Sequence, residues 1–122
     1  MHAGLWGTLA RPLDASGLGA AVAAACGREP LVLGTREGAI SRVGLASGGG
    51  ARSLAEAAAL GLHALVTGEP EVDSAALADE LGLLFFAAGH HASERFGVRA
   101  LGLLLEQRFG VESRFLDEVN PV

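Results

Sequence analysis

The sequence predicts an α/β fold with three layers, in which helices cover both faces of a mostly parallel or mixed sheet. Half of its 122 residues are hydrophobic, enough to bury one core but not two, so residues 1–122 are expected to form a single domain. Helix-like segments alternate with short apolar runs, and a glycine follows each helix-like segment. Because such alternation requires crossover connections, it indicates a sheet that is covered on both sides.

Glycines mark the ends of the predicted helices, since a left-handed residue commonly terminates a helix and glycine adopts that conformation without strain. The motif "SLAE", residues 53–56, predicts a capping box at the start of the second helix. The four helices are predicted at 16–26, 52–60, 73–81 and 92–109, and the glycines that end them at positions 27, 61, 82 and 110.

Short runs rich in apolar residues predict the strands, and two of them are nearly continuous in apolar residues, as buried strands are. In chain order they are "PLVLG", "SRVGLAS", "LHALVTG", "LLFFAAG" and "VESRFLD". The bulky part of the core is expected to come from the five phenylalanines, Phe85, Phe86, Phe96, Phe109 and Phe115. The last helix has an apolar stripe that is also predicted to be buried, formed by Leu101, Leu104, Leu105 and Phe109.

Charge and cysteine content narrow the class of protein. The net charge is −5 and no Lys/Arg cluster is present, so a nucleic-acid partner is not expected. The apolar run "GLGAAVAAAC" is too short to span a bilayer, so no membrane partner is expected either. Cys26 is the only cysteine, which excludes an internal disulfide and cysteine-rich zinc sites and favours a cytoplasmic location.

Polar and glycine residues follow three of the predicted strands, where open α/β sheets bind ligands. "ASGGGARS" joins a strand to a helix, and the amides of Gly48, Gly49 and Gly50 could face an anion there. The same glycines could simply form a tight turn, and the spacing G-x-G-x-x-G is lacking. Thr67 and Glu69 of "VTGEPEVD" would point into the same mouth, although a lone glutamate at a strand end is usually solvated.

"AAGHHASERFG" contains the sharpest chemical pattern in the chain. His90 and Glu94 are four residues apart, so on a helix they share one face and could bind one divalent ion together. Two ligands do not make a site, since zinc takes three or four, and a hydrogen bond at a helix start is the alternative. His91 is a candidate proton shuttle or substrate contact.

The remaining histidines and arginines are expected to be structural. His63 lies in a predicted strand and should be a hydrogen-bonded, partly buried imidazole, and His2 should belong to a mobile tail. The basic residues of the last helix are expected to form a solvated edge, with Arg95 a possible contact for an anion; they are Arg95, Arg99 and Arg108.

Four motifs in one order, "GGGA", "EAAALGLHALVTGE", "AAGHHASERFGVRALGLLLEQRFG" and "FLDEVNPV", resemble the C-terminal half of the NIF-three-like dinuclear metal-centre family. Its members are also called GTP cyclohydrolase I type 2 homologues. The resemblance implies a parent chain about twice as long, folded as two related α/β lobes, with two divalent metal ions between the lobes and subunits in a hexameric ring. It makes His90 and Glu94 the C-terminal ligands, whereas a histidine pair and an aspartate come from an N-terminal lobe.

The resemblance also implies that the complete protein is a metal-dependent hydrolase of the cyclohydrolase type. Because the N-terminal lobe is expected to be absent here, the isolated half should bind metal weakly and be inactive. Ala76 stands where some relatives have a histidine, so any role of that histidine is in doubt. Two alternatives stay open: a non-catalytic oligomeric assembly or regulatory module without the metal site, and a nucleotide binder that uses the "SGGG" loop.

Overall fold

The computed structural model describes residues 4–118 and 120. It contains a five-stranded sheet and four α-helices, which confirms the predicted α/β class. A single turn of 3₁₀ helix, Ala51–Ser53, leads into the second α-helix. The strands are β1 (Leu5–Leu13), β2 (Leu31–Leu33), β3 (Ile40–Ala46), β4 (Ala64–Thr67) and β5 (Leu84–Ala87), and the helices are α1 (Ala15–Cys26), α2 (Leu54–Ala59), α3 (Ser74–Leu81) and α4 (His90–Phe109).

The sheet is mixed, with strand order β1-β3-β4-β5-β2. The three central strands are parallel, and Ala64 of β4 is aligned with Val43 on one side and Leu84 on the other. The two edge strands run antiparallel to their neighbours. Since β3, β4 and β5 are parallel, their carboxyl ends lie at one edge of the sheet.

Helices cover both faces, as predicted. On one face α1 packs with the first turn of α4, and on the other α2 and α3 pack together. Phe85 and Phe86 are neighbours in β5 and belong to opposite clusters, because successive side chains of a strand point to opposite faces. Both rings are fully buried, which confirms their predicted place in the core.

The sequence did not predict the first strand, β1. β1 contains Gly7 and Pro12, two residues that are uncommon inside strands, and most of its side chains are exposed. Its register with β3 shifts between Thr8 and Leu13, around the proline, which is tolerated at a sheet edge. The residues of β3 that pair with β1 lie 27 to 40 positions away in the sequence, from Leu13↔Ile40 to Leu5↔Leu45, so no local pattern indicates the pairing.

The last predicted strand, "VESRFLD", is wrong. Residues 111–118 have no regular secondary structure and run back along α4. The amide of Ser113 donates to Glu106 Oε1 (3.0 Å), and Asp117 contacts residues of the first helical turn. Side-chain hydrogen bonds to α4, and not backbone pairing with a strand, hold this segment in place.

The capping box at "SLAE" is also wrong, because Ser53 ends the 3₁₀ turn and its side chain makes no capping hydrogen bond. The glycine helix ends are confirmed: the backbone is left-handed at residues 27, 61, 82 and 110. α4 begins at His90, two residues before the predicted start, and this places both adjacent histidines in its first turn.

The predicted burial of the α4 stripe is wrong. Ala92 is the helix's buried residue, and all the leucines of the predicted stripe are exposed or partly exposed. Beyond its first turn α4 does not lie on the sheet. The predicted core residues found exposed are Phe96, Leu101, Leu104, Leu105, Phe109 and Phe115.

Candidate metal centre

The three parallel strands bring separate sequence motifs to one edge of the sheet. Gly48 follows β3, Gly68 follows β4 and Gly89 follows β5. The amide of Gly68 donates to the Gly48 carbonyl (2.8 Å), and the amide of Gly89 donates to the Gly68 carbonyl (2.7 Å). This ladder holds the "SGGG", "TGE" and "AGHH" loops side by side, as the sequence predicted for the strand ends.

His90 lies between two carboxylates at this edge. Its Nδ1 is 3.0 Å from Glu69 Oε1, and its Nε2 is 3.3 Å from Glu94 Oε1. The hydrogen bond to Glu69 is the main cause that raises the pKa of His90 above its usual value, and Glu94 adds to it. All three side chains are partly exposed, so the cluster is open to solvent.

The chemistry of this donor set fits part of a divalent metal site. With the Nδ1 proton donated to Glu69, the lone pair of Nε2 faces Glu94 once Nε2 loses its proton. Nε2 of His90 and Oε1 of Glu94 are 3.3 Å apart, and an imidazole nitrogen and a carboxylate oxygen are donors that would be able to hold one zinc ion together. Within residues 4–118 and 120, no three His, Cys, Asp or Glu side chains converge as a metal-binding group, so His90 and Glu94 are a pair of candidate ligands and not a complete site.

Glu69 makes a contact that the sequence did not indicate, since its carboxylate lies against Nδ1 of the imidazole ring. Its predicted place in a substrate mouth stays a prediction. A carboxylate at the second nitrogen fixes the orientation and tautomer of a ligating histidine. Only the parallel sheet brings the two residues together, since they are 21 positions apart and belong to different loops.

Gly48 allows the chain to pass directly beneath the His90–Glu94 pair. Its φ is +64°, and a Cβ atom there would collide with the Glu94 carboxylate and lie 3.0 Å from His90 Nε2. A side chain at this position would thus occupy the space between the two candidate ligands. The glycine requirement is one of space as well as of backbone conformation.

Two hydroxyl groups hold the glycine loop in place. Thr67 is 1% exposed; its hydroxyl donates to the Gly48 carbonyl (2.9 Å) and accepts from the Gly50 amide (2.8 Å). The Ser93 hydroxyl accepts from the Gly48 amide (2.9 Å) and donates to the His90 carbonyl (3.0 Å). Thr67 thus braces the loop, and the amides of Gly48 and Gly50 are already bonded within the protein. The predicted place of Thr67 in a substrate mouth stays a prediction.

Ser93 was not singled out in the sequence, although it stands three residues after His90, where a serine commonly bonds back to a helix carbonyl. Gly49 lies nearer Glu69: a Cβ atom there would be 3.4 Å from Glu69 Oε1. Of the three glycines, Gly48 therefore lies against the candidate ligands, whereas Gly50 packs on Ala46 and Thr67.

His91 points away from this cluster. Its Nε2 is 3.2 Å from Asp117, whose other oxygen is 2.6 Å from Arg95, and Arg95 also donates to the Cys26 carbonyl (2.9 Å). The hydrogen bond from His91, followed by Arg95, lowers the pKa of Asp117. The structure does not bring His91 together with His90 and Glu94, and its predicted role as a proton shuttle stays a prediction.

Within the described residues, the other histidine and the arginines of α4 contact groups of the protein itself. His63 is partly buried and its Nδ1 accepts from the Ser41 amide (3.1 Å), which confirms the prediction for this residue. His2 lies outside the described residues. On α4, Arg99 and Arg108 are exposed, as predicted for a solvated edge, and their guanidinium groups lie over the rings of Phe115 and Phe109. Arg95 is partly buried and bonded as above.

Sequence comparison gives the family. The profile of the family Duf34/NIF3 (NGG1p interacting factor 3) matches residues 1–121. The chain belongs to the NIF3 family. This confirms the resemblance seen in the sequence.

Curated NIF3 relatives are named GTP cyclohydrolase 1 type 2 homolog. The chain is 42% identical over 118 residues to the protein from Allochromatium vinosum, covering 96% of this chain and 46% of the relative. It is 41% identical over 117 residues to the protein from Pseudomonas aeruginosa, again covering 96% and 46%. The chain thus spans about half the length of these relatives.

Solved NIF3 structures share the fold. A structure titled protein ybgI, unknown function, superposes with a TM-score of 0.91 at 39% identity, over 96% of this chain and 48% of the other. TTHA1606 from Thermus thermophilus superposes with a TM-score of 0.79 at 30% identity, over 97% and 45%. HcgD from Methanocaldococcus jannaschii, at 22% identity and a TM-score of 0.77 over 90% and 44%, shares the fold.

Proposed function

We propose that this chain is the metal-binding C-terminal lobe of a NIF3 protein, with His90 and Glu94 as ligands of a divalent ion. One observation supports this above the others: Glu69 engages Nδ1 of His90 while Nε2 faces the Glu94 carboxylate at 3.3 Å. A helix-start hydrogen bond alone would not need a second carboxylate behind the imidazole. Glu69 then acts as the residue that orients His90.

For the complete protein we propose metal-dependent hydrolysis of the cyclohydrolase type, following the names of the relatives. A bound divalent ion would polarise a group of the substrate and lower the pKa of a bound water molecule. The residues of this chain would bind that ion, keep its ligands oriented and close one wall of the site with the glycine loop. Two ions per site require further ligands from outside the described residues, so the isolated chain should be inactive.

The cellular compartment belongs to the same proposal. No α-helix within residues 4–118 is both long and apolar enough to span a bilayer. We propose a cytoplasmic location, which a fractionation of cells expressing the intact gene would test.

The test is metal binding by the purified chain. We expect zinc titrated into the chain to bind weakly, and His90→Ala and Glu94→Ala each to weaken binding at least tenfold, since each removes a ligand. Glu80→Ala, which removes an exposed glutamate from α3, is the matched control and should bind like the original chain. Equal zinc affinity in the original chain and both ligand variants would contradict the proposal.

A non-catalytic assembly module is the second candidate, and the exposed apolar residues of α4 favour it. Such a module needs the fold and its interfaces but no metal. A folded oligomer that binds no zinc in the titration above would support this alternative.

A further inference from the structure

Apolar burial fixes the start of α4 only weakly. Ala92 is the buried residue of this helix, and no side chain caps its amino end, where Gly89 precedes the first turn. At 1.5 Å per residue, its 20 residues extend over about 30 Å. A small tilt of so long a helix would move His90 and Glu94 relative to the loops that follow β3 and β4. Polar contacts must therefore set the position of the first turn.

Arg95 joins the start of α4 to the end of α1 and to the segment after α4. Its Nη2 donates to the Cys26 carbonyl (2.9 Å), and its Nη1 donates to Asp117 Oδ2 (2.6 Å). The Arg95 side chain is only 24% exposed, so the surrounding protein partly shields these hydrogen bonds from water. A charge-assisted hydrogen bond in such a place is stronger than one on an open surface.

Asp117 uses both of its carboxylate oxygens on the first two turns of α4. Oδ1 is 3.2 Å from Nε2 of His91, and Oδ2 contacts Arg95. Residues 91 and 95 are neighbours on the helix surface, so one carboxylate spans a full turn. The candidate ligands His90 and Glu94 each immediately precede one of these two residues. The bridged turn is thus the turn that presents the ligands.

The sheet binds the same turn from a different direction. Glu69 engages His90, and the Ser93 hydroxyl accepts from the Gly48 amide. With 3.6 residues per turn, residue 91 projects about 100° away from residue 90 around the helix axis. Contacts from two directions restrict rotation of the helix as well as its displacement. Without Asp117, the contacts with the loops after β3 and β4 would remain on one side only.

The segment that includes Asp117 is itself bound further along α4. The Ser113 amide donates to Glu106 Oε1 (3.0 Å), and the Arg99 guanidinium lies 5.2 Å from the centre of the Phe115 ring. These contacts already order residues 111–118 beside the helix. Asp117 therefore loses less conformational entropy in its two hydrogen bonds than a residue of a free chain end would lose.

We propose that Asp117 is a positioning residue for the candidate metal centre. By bridging His91 and Arg95, it fixes the turn of α4 that presents His90 and Glu94 to a divalent ion. Asp117 would act through the helix backbone, since its carboxylate contacts the residues next to the ligands. The inference rests on the metal-binding function proposed above.

Zinc titration of the purified chain is the first test. We expect Asp117→Ala to lower zinc affinity about tenfold, the lower end of the range for residues that orient metal ligands. Asp117→Asn should lose less, because its amide oxygen can still accept from Arg95. Glu112→Ala removes an exposed carboxylate from the same segment and should bind zinc like the original chain. An unchanged affinity in Asp117→Ala would overturn the positioning role.

Glu106→Ala separates positioning from a general loosening of the segment. It removes the acceptor of the Ser113 amide, far along α4 from the ligands. We expect this variant to lower the urea midpoint slightly, as Asp117→Ala should, and to keep the zinc affinity of the original chain. Equal losses of zinc affinity in Glu106→Ala and Asp117→Ala would contradict a specific role for Asp117.

The ring nitrogens of His90 provide a second measurement that needs no metal. At pH 9 the neutral imidazole should have its proton on Nδ1, which Glu69 accepts, and long-range ¹H–¹⁵N NMR distinguishes Nδ1 from Nε2. We expect Asp117→Ala to move both ¹⁵N shifts towards the average of the two tautomers. Glu106→Ala should leave both shifts unchanged.

The two measurements distinguish failure of the positioning role from failure of the metal function. If the original chain binds no zinc, the metal function fails, and altered His90 shifts in Asp117→Ala still support the positioning of His90, whereas unchanged shifts refute it. If the original chain binds zinc and Asp117→Ala changes neither the affinity nor the shifts, the metal function stands and the role of Asp117 is wrong.

Discussion

Each residue of the candidate centre has one contact that defines its role. Glu94 faces Nε2 of His90, Glu69 engages Nδ1, and Thr67 is buried beneath the loop. Glu69 is the least expected of these from the sequence, since a glutamate that follows a strand is usually solvated. In the site proposed above it would orient His90, because an imidazole held at its second nitrogen loses less rotational entropy on binding an ion than one that rotates freely.

Removal of the Glu69 carboxylate should therefore weaken metal binding without removing a ligand. We expect Glu69→Ala to lower zinc affinity by about 10–100-fold, the range found for partners of ligating histidines. Glu69→Gln should lose less, since its amide oxygen can still accept from Nδ1. Competition with a chelating dye measures the affinities, and Glu37→Ala, a change of an exposed loop glutamate, is the control. Unchanged affinity in Glu69→Ala would show that Glu69 does not orient His90.

His63, which is not part of the candidate centre, should make the free energy of unfolding depend on pH. Burial, aided by Arg36, lowers the pKa of His63 below its usual 6.5. The unfolded chain therefore takes up the proton first, and the free energy of unfolding falls as the pH drops from 6.5 towards the lower folded-state pKa. His63→Asn keeps an acceptor for the Ser41 amide and does not titrate.

We expect the original chain to lose more stability than His63→Asn between pH 7.5 and pH 5, measured as the urea midpoint at each pH. All other titrating groups are shared by the two proteins, so the difference isolates His63. Parallel loss of stability in both proteins would contradict the role of His63.

At the scale of elements, a tight loop supports the first turn of a helix. The β3–α2 loop passes under α4 at Gly48 and is fixed by Ser93 of α4 and Thr67 of β4. A change in this loop should consequently affect the ligands of α4, although the two elements are more than forty residues apart in the sequence.

Gly48→Ala tests this connection. A left-handed backbone costs a non-glycine residue about 1–2 kcal/mol, and the added methyl group would also strike Glu94 and crowd His90. We expect a loss of stability of at least that size in urea unfolding, together with a large loss of zinc affinity.

Gly82→Ala is the control for the backbone cost alone. Its φ is +61°, close to that of Gly48, and a Cβ atom there meets nothing within 4 Å. It should lower the free energy of unfolding by a similar backbone cost and leave zinc affinity unchanged. If Gly48→Ala binds zinc as tightly as Gly82→Ala, the crowding of the ligands is refuted.

At the scale of the whole molecule, different sets of helices cover the two faces of the sheet. One face is closed by α2 and α3, whereas the other is covered by α1 and the first turn of α4, which then extends beyond the sheet. The exposed leucines of α4 are core-like residues without a core, and the chain spans about half the length of its relatives.

The sequence by itself determined the features that depend on neighbours along the chain. The helix-ending glycines such as Gly27, the alternation of helix and strand, and the single helical face shared by His90 and Glu94 all follow from local periodicity and backbone preference. The family resemblance also rests on short sequence motifs, which can be recognised without the structure.

Only the tertiary structure decided which of these segments meet. β1 is a strand because β3 offers it an edge, and residues 111–118 are not a strand because α4 offers them polar partners instead. The pattern of α4 is apolar, yet its leucines are exposed, since periodicity shows that a helix has an apolar face but not whether anything covers it. The contact between Glu69 and His90 also depends on the tertiary structure. Parallel strands bring their two distant loops to one edge of the sheet, and the spacing of the two residues in the sequence does not indicate that they meet.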